Sequence, residues 1–446
     1  MLYSSAIAEG DTRETGLDRL LSSNEVNVVR AVSSKNWPGS ASVTYSIVWT
    51  QHSPWKGMAV LDDVKVKGIN SYLSVPGNVV GPPKQLAANR DKIFQGSIVV
   101  GKGFVLTAEQ AQELISLDKK NSNVVVPYLT GAELNSHPRQ LPSKWAVNFF
   151  DWPLDRDGVD DYDGPVAKDF PAALKIIEEK VKPSRQRKKK DRDGNEVFAL
   201  RKPLPEKWWI YGDKRPALYK AVKEYPLVVG NARAATKYLS FAILPKGMVY
   251  SDALTVAVLN NFGQFAALSS TIHDVWSREH ASMNLSLLRY VSSDCFDTFP
   301  FPTLTGELTA AGEAYNTYRS ELMIQTELGL TRTYNRFNDE TDRKRDIADF
   351  RSLHQQMDEA VVAAYGWNDL KCDHGFYETK HGKRFTINGH ARTDLLQRLL
   401  KLNHERYSIE IENGMHSKSK QKTAPRKRRS AKKKAAAGLL FGDDEG

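Results

Sequence analysis

At 446 residues and 50.1 kDa the chain is long enough for two or three domains that each bury a core, which excludes a small scaffold stapled by disulfides or metal. Two cysteines, Cys295 and Cys372, stand without zinc-ligand spacing and fit a reducing cytoplasm, and the opening MLYSSAIAEGDTRE has no secretory pattern. The formal net charge is +10, but 418–434 holds ten Lys/Arg and no acid, so the tail from His416 nets +7 and the rest of the chain only +3. The basic character therefore belongs mainly to an arm that either condenses on phosphates or serves as a solvated, disordered tail.

In chain order, Asp11 with Glu14 three residues later fits a capping arrangement opening a helix through Leu17, Leu20 and Leu21. A strand is expected over 26–32, then a turn at Trp37, Pro38 and Gly39. A longer strand follows, in which Ala41, Val43, Tyr45, Ile47 and Trp49 alternate with polar residues. Helix, strand, turn and strand without a preceding βα series read as the closing part of an α/β domain. From about Phe94 the strings FQGSIVVGKGFVLT, VVVPYLTGAEL and WAVNFFDWPL predict short strands punctuated by Gly and Pro. A polar insertion at 155–205 reads as a flexible excursion with a helix over 172–181, and within it 182–192 sets seven basic residues against the single acid Asp191. The β-rich character resumes at EKWWIYGDK and runs to Pro302.

Beyond Pro302 the periodicity is helical. Leu308, Ala311, Tyr315, Tyr318 and Leu322 form one stripe; Ile347, Phe350, Met357, Ala360, Val361 and Ala364 form a second, with Gly366 placed to end it; Leu395, Leu396, Leu399 and Leu400 form a third. The apolar stretch 253–268 is broken by Asn260 and Asn261, which argues against a membrane span.

Several motifs fail on their context. Gly101-Lys102-Gly103 lacks the third glycine and the helix that a dinucleotide turn needs, so a hairpin turn is expected there. The acid-rich run 155–164 puts Val159 and Asp160 where a calcium loop needs an oxygen ligand and glycine, and reads as an Asp/Gly turn cluster. His273 and His280 lack the further ligands of a metal site and read as structural. What survives is a basic and amide-bearing set: Arg233, Lys237, Asn284, Arg289, Arg332, Tyr334, Asn335 and Arg336. Arginine pairs bidentately with guanine, asparagine with adenine, and lysine anchors phosphates, although each arginine taken singly fits a surface ion pair equally well.

Many strings in one order carry a resemblance: GDTRETGL, WPGSASV, YLTGAEL, WWIYG, RPALYKAV, IHDVW, RYVSSDCFDTFPFP (289–302), LGLTRTYNRFND and RSLHQQMDEAVVAAYGW. Together they resemble the C-terminal half of restriction–modification DNA methyltransferases of the MmeI-like type, which methylate adenine. The resemblance implies an α/β chain in four parts. These are the C-terminal remnant of a Rossmann-like methyltransferase sheet at 1–84, a mixed α/β target recognition domain at 85–305, a helical region at 306–412 and a disordered basic tail at 413–446. It also points to the segment from Asn284 to Arg289 for base contacts. The family's glycine-rich cofactor turn and its Asn/Asp-Pro-Pro-Tyr/Phe tetrapeptide do not occur in these residues. The resemblance therefore implies the DNA-recognition portion of a split or truncated enzyme, inactive alone, that engages S-adenosylmethionine only through a partner half. The alternatives are a non-catalytic specificity subunit serving a separate methyltransferase, or a decayed fragment. Double-stranded DNA is the expected partner, with no metal and a cytoplasmic location.

Overall fold

The computed structural model describes residues 2–8, 10–22, 26–37, 44–52, 54–73, 75, 81–157, 162–233, 236–284, 287–379 and 382–416. The basic arm from 417 onward, the Pro38–Gly39 turn, Ala41, Val43 and part of the acid-rich run thus lie outside the described residues. Three apolar clusters organise the rest.

The first cluster backs a five-stranded sheet ordered Leu2–Ser4, Thr44–His52, Val26–Asn36, Ala59–Leu61, Val64–Val66. Val28, Ala31 and Val48 are buried against this cluster, the odd step from Val28 to Ala31 being taken up by an irregularity of the strand between Val28 and Arg30. The two long strands pair antiparallel, Ala31 opposite Val48, and a parallel ladder sets Arg30 and Ala31 beside Val60 and Leu61. The strand expected over 26–32 continues to Asn36, bent by irregularities between Val28 and Arg30 and between Val32 and Lys35. The expected helix is present as a continuous run through Gly10–Arg13, Glu14–Asp18 and Arg19–Ser22, so Asp11 lies inside it and not ahead of it. Leu17 is buried, and the Arg13 guanidinium lies 3.9 Å from the centre of the Tyr72 ring.

The second cluster joins the sheet Val249–Tyr250, Val125–Leu129, Lys144–Val147, Val105–Leu106 to the helix Pro171–Lys180. The helix expected over 172–181 is present as Pro171–Lys180, and its Ala173, Leu174 and Ile177 sit in the core. Around it Arg156 pairs with Asp169 and Lys168 with Asp155. The glycines at 101 and 103 serve that packing. Gly101 has φ +145°, and a Cβ on Gly103 would stand 2.5 Å from the Lys180 Cβ.

The third and largest cluster packs the antiparallel sheet Ala242–Ile243, Leu227–Ala232, Leu254–Leu259, Ile93–Gln95 against helices Phe262–Ser269, Thr271–His280, Gly306–Thr326, Leu330–Phe337, Arg345–Ala364 and Gly389–Glu412. One continuous core thus crosses the boundary expected at 305. Every residue of Leu254–Leu259 is buried, and Asn261 breaks the apolar stretch for a local reason: its side chain caps the next helix by accepting from the Gln264 amide at 3.2 Å.

The FPFP region is a hub of this core. The Asn89 side-chain amide donates to the Phe296 and Phe299 carbonyls at 3.0 and 2.8 Å, the Asn403 amide donates to the Thr298 carbonyl at 2.6 Å, and the Trp276 indole donates to the Thr298 hydroxyl at 3.1 Å. Burial pushes His273, which packs on Phe299, down to about 3, and lifts Asp297, which also faces Asp294 and Asp91, to about 6. The signs oppose. His273 contributes stability that is complete above its unfolded value of 6.5 and is lost as pH falls toward about 3, whereas Asp297 costs stability progressively as pH rises from 3.8 to about 6. Urea titrations from about pH 4 to about pH 7 should therefore show His273→Gln less acid-sensitive than wild type and Asp297→Asn gaining on wild type as pH rises. Superimposable pH profiles for all three proteins would contradict both assignments.

Candidate nucleic-acid interface

The surface that gathers the basic set begins where the chain leaves the strand Leu227–Ala232. The Arg233 amide donates to the Ala253 carbonyl at 2.9 Å, and the Arg233 carbonyl accepts from the Tyr290 amide at 3.1 Å. Thr236 and Leu288 then exchange backbone hydrogen bonds of 3.3 and 3.0 Å. This stitches Arg233 and Thr236 to the paired strands Ser282–Asn284 and Leu287–Arg289, in which Ser282 faces Arg289 and Asn284 faces Leu287. Alternation decides what points outward: Leu288 and Tyr290 are buried in the core, so Arg289 between them is exposed.

The other border is the helix Leu330–Phe337. Leu330, Thr333, Tyr334 and Phe337 face inward at helical spacing, which leaves Arg332 and Asn335 on the exposed face. The Asn335 carbonyl oxygen accepts from the Tyr238 hydroxyl at 3.1 Å and lies 3.5 Å from the Lys237 ammonium. One surface therefore runs from Arg233 and Arg289 through Lys237 to Asn335 and Arg332. Among the described residues none of Arg233, Lys237, Arg289 and Arg332 pairs with a carboxylate. Unneutralised cations beside an amide are chemically able to hold phosphates and read base edges.

Beneath this surface lie two arginines that sequence reasoning missed. Arg278 and Arg384 both donate to the Lys237 carbonyl, at 3.2 and 2.8 Å, and the Arg384 guanidinium covers the Tyr238 ring at 5.0 Å. Burial first, and the neighbouring Arg278 charge next, push Arg384 down to about 10. These groups fix the backbone from which Lys237 and Tyr238 project. The only sequence signal was the helical spacing of Asp274 and Arg278, which do pair at 2.8 Å; Arg384 arrives from a distant hairpin and left none.

Two expected site residues point elsewhere. Tyr334 is 6% exposed, and its hydroxyl meets the Tyr315 hydroxyl at 2.5 Å and accepts from Arg319 at 3.2 Å. Arg336 is clamped by Asp342 and Asp346. Both are tied into the fold and are corrected from surface contacts to structural residues. The side chain of Asn284 lies outside the described residues.

No family model and no curated protein matches the chain. Among solved structures, the Type IIL restriction–modification enzyme MmeI in complex with DNA is similar with a TM-score of 0.54 at 16% identity, over 91% of this chain and 49% of that one. The Type IIG restriction endonuclease BpuSI aligns at 10% identity over 82% of this chain and 47% of that one, with a TM-score of 0.30, a level from which no shared topology follows. The chain spans about half the length of these enzymes. Among the described residues no helix is long and apolar enough to cross a membrane. The fold is mixed α/β, and it is the fold found in about half of MmeI.

Proposed function

We propose that this chain is the DNA-sequence-recognition portion of a restriction–modification system that methylates adenine. The observation that carries the reading is a set of cations without a carboxylate partner among the described residues, Arg233, Lys237, Arg289 and Arg332, gathered with Asn335 on one surface of a fold shared with an enzyme bound to DNA. Arg289 is assigned to a base edge and Lys237 to a phosphate. S-adenosylmethionine belongs, in this proposal, with a catalytic half or a separate methyltransferase subunit. The Gly101–Gly103 turn does not fit that cofactor, because the space over Gly103 is occupied by Lys180, which ends the helix Pro171–Lys180, and by Val181 just beyond it.

The test is selection from a pool of random duplexes, followed by binding curves on the enriched site and its single-base variants. Wild type should enrich one site. Arg289→Ala should lose about 1–3 kcal/mol of preference at a single base position, and Lys237→Ala should weaken every duplex equally while lowering the salt slope by about 0.9. Enrichment of no sequence by the wild-type protein, or a parallel loss on all duplexes with Arg289→Ala, would remove the base-reading assignment.

A further inference from the structure

The run of cations after the helix Pro171–Lys180 is not an irregular loop. Lys188–Lys190 and Glu196–Phe198 form an antiparallel ribbon, Lys189 opposite Val197, extended by the Ala199 amide donating to the Arg187 carbonyl at 2.8 Å. Asp191 builds the turn: its carboxylate accepts from the Asp193 and Asn195 amides at 2.9 and 3.0 Å, and Gly194 supplies φ +84°. Asp191 is thereby occupied with its own backbone, and Glu196 pairs with Lys188 at 3.1 Å. Among the described residues, Arg187, Lys189, Lys190 and Arg192 have no carboxylate partner.

Two features need a common explanation. Every residue from 187 to 196 is exposed and Phe198 is 38% exposed, with Val197 and Ala199 half-buried, so little of the ribbon packs on the body. A two-stranded ribbon with so little packed surface is marginal in water, and adjacent like charges weaken it further. Its base, however, is held firmly. The Arg185 side chain is buried and donates to the carbonyls of Val99 at 2.8 Å, Val100 at 2.8 and 3.0 Å, and Ile210 at 2.5 Å, with longer bonds to Lys207 and Trp208 at 3.3 Å. One guanidinium ties together the two ends of the excursion and the segment before Gly101. A clamped base under a bare cationic ribbon positions unneutralised charge away from the body, and a polyanion supplies the counter-charge that the protein lacks.

We propose that the 187–199 ribbon is a second DNA-contacting element, laid along a duplex so that Arg187, Lys189, Lys190 and Arg192 neutralise backbone phosphates. This rests on the DNA-binding reading above. The dimensions agree, since the major groove is about 12 Å wide and admits a two-stranded ribbon. Such contacts add affinity on every sequence and leave discrimination to the surface around Arg289.

The test uses the full chain with Arg187, Lys189, Lys190 and Arg192 all replaced by serine, beside a charge-keeping form in which Lys and Arg are interchanged at the same four positions. On a random-sequence duplex, the slope of log affinity against log salt should fall by about 3–4 for the serine form, at about 0.9 per phosphate contact, and affinity near physiological salt should drop at least about tenfold. The charge-keeping form should bind as wild type. Because a collapsed ribbon would mimic the loss, acetylation of Lys189 and Lys190 is also followed in the unmodified protein, where duplex should slow it several-fold and polyglutamate should not. Equal protection by polyglutamate would assign the ribbon to an acidic protein partner and overturn the proposal. If wild type binds duplex and the serine form keeps its slope, or the two lysines stay unprotected, the ribbon is no DNA contact while the proposed function stands. If wild type binds no duplex at any salt, both fall.

Discussion

Asp358→Ala is expected to lower the unfolding free energy by about 3–5 kcal/mol, because it removes one partner of a buried ionic network and strands the others. The Asp358 side chain is fully buried. One carboxylate oxygen accepts from the Thr271 amide at 2.8 Å; the other accepts from His374 Nε2 at 2.8 Å and lies 3.6 Å from His354 Nε2, which is 3.0 Å from the Thr271 hydroxyl. Helix Thr271–His280, helix Arg345–Ala364 and the hairpin of His374–Tyr377 and Arg384–Ile387 thus converge on one carboxylate. Burial alone would raise its pKa, but His354 and His374 outweigh burial and hold it below the usual 3.8. The sign follows: a depressed carboxylate contributes stability above its unfolded pKa, and that contribution is lost as pH falls through the folded value. The gap between wild type and Asp358→Ala should be widest near neutrality and shrink below about pH 4. Because the same hairpin carries Arg384 beneath Lys237, the variant should also bind DNA more weakly on all sequences. A loss under about 1 kcal/mol in urea unfolding would mean that the carboxylate is not the junction of these elements.

Local periodicity made much of this legible. The three helical stripes after Pro302 became Gly306–Thr326, Arg345–Ala364 and Gly389–Glu412, and Gly366, with φ +76°, follows the second as expected. Leu288, Arg289 and Tyr290 alternate locally, which leaves Arg289 outward between two core residues. What the sequence hid was tertiary. Arg332, Asn335 and Arg336 stand within five residues of one another and carry the same kinds of polar group, yet Arg336 is drawn into the fold by Asp342 and Asp346, whose positions are set by the following turn and helix. The importance of Arg384 to the Lys237 backbone arises from a contact across 147 residues. The cationic stretch at 182–192 looked like solvated polar chain because neither the buried Arg185 clamp nor the pairing with Glu196–Phe198 has a local signature. The FPFP string, the most distinctive of all, marks a core junction and not a contact surface.

Arg336→Ala separates the two kinds of arginine on one helix. Its guanidinium donates through Nε to Asp342 at 2.8 Å and through both terminal nitrogens to Asp346 at 2.8 and 2.9 Å, and its side chain is 19% exposed. Those hydrogen bonds to Asp346 first, and to Asp342, raise its pKa further above the ordinary arginine value; in return Arg336 holds Asp346 below its ordinary value, and at Asp342 burial pushes upward but the hydrogen bonds from Arg336 and the Lys344 amide outweigh it. Removing it leaves two carboxylates side by side, with Asp346 at the start of helix Arg345–Ala364 and Asp342 in the turn before it. A bidentate, partly buried pair of this kind is worth more than an exposed one, and the expected cost is about 2–4 kcal/mol. Since both carboxylates have depressed pKa values, wild type loses this contribution as pH falls through their folded values, and the two proteins should converge in acid. Arg332→Ala, one turn earlier and exposed, should stay within about 0.5 kcal/mol of wild type in stability and act only on DNA. At neutral pH, Arg336→Ala should therefore melt early and bind all duplexes more weakly in parallel. Unchanged melting together with lost preference at one base would instead place Arg336 on the DNA.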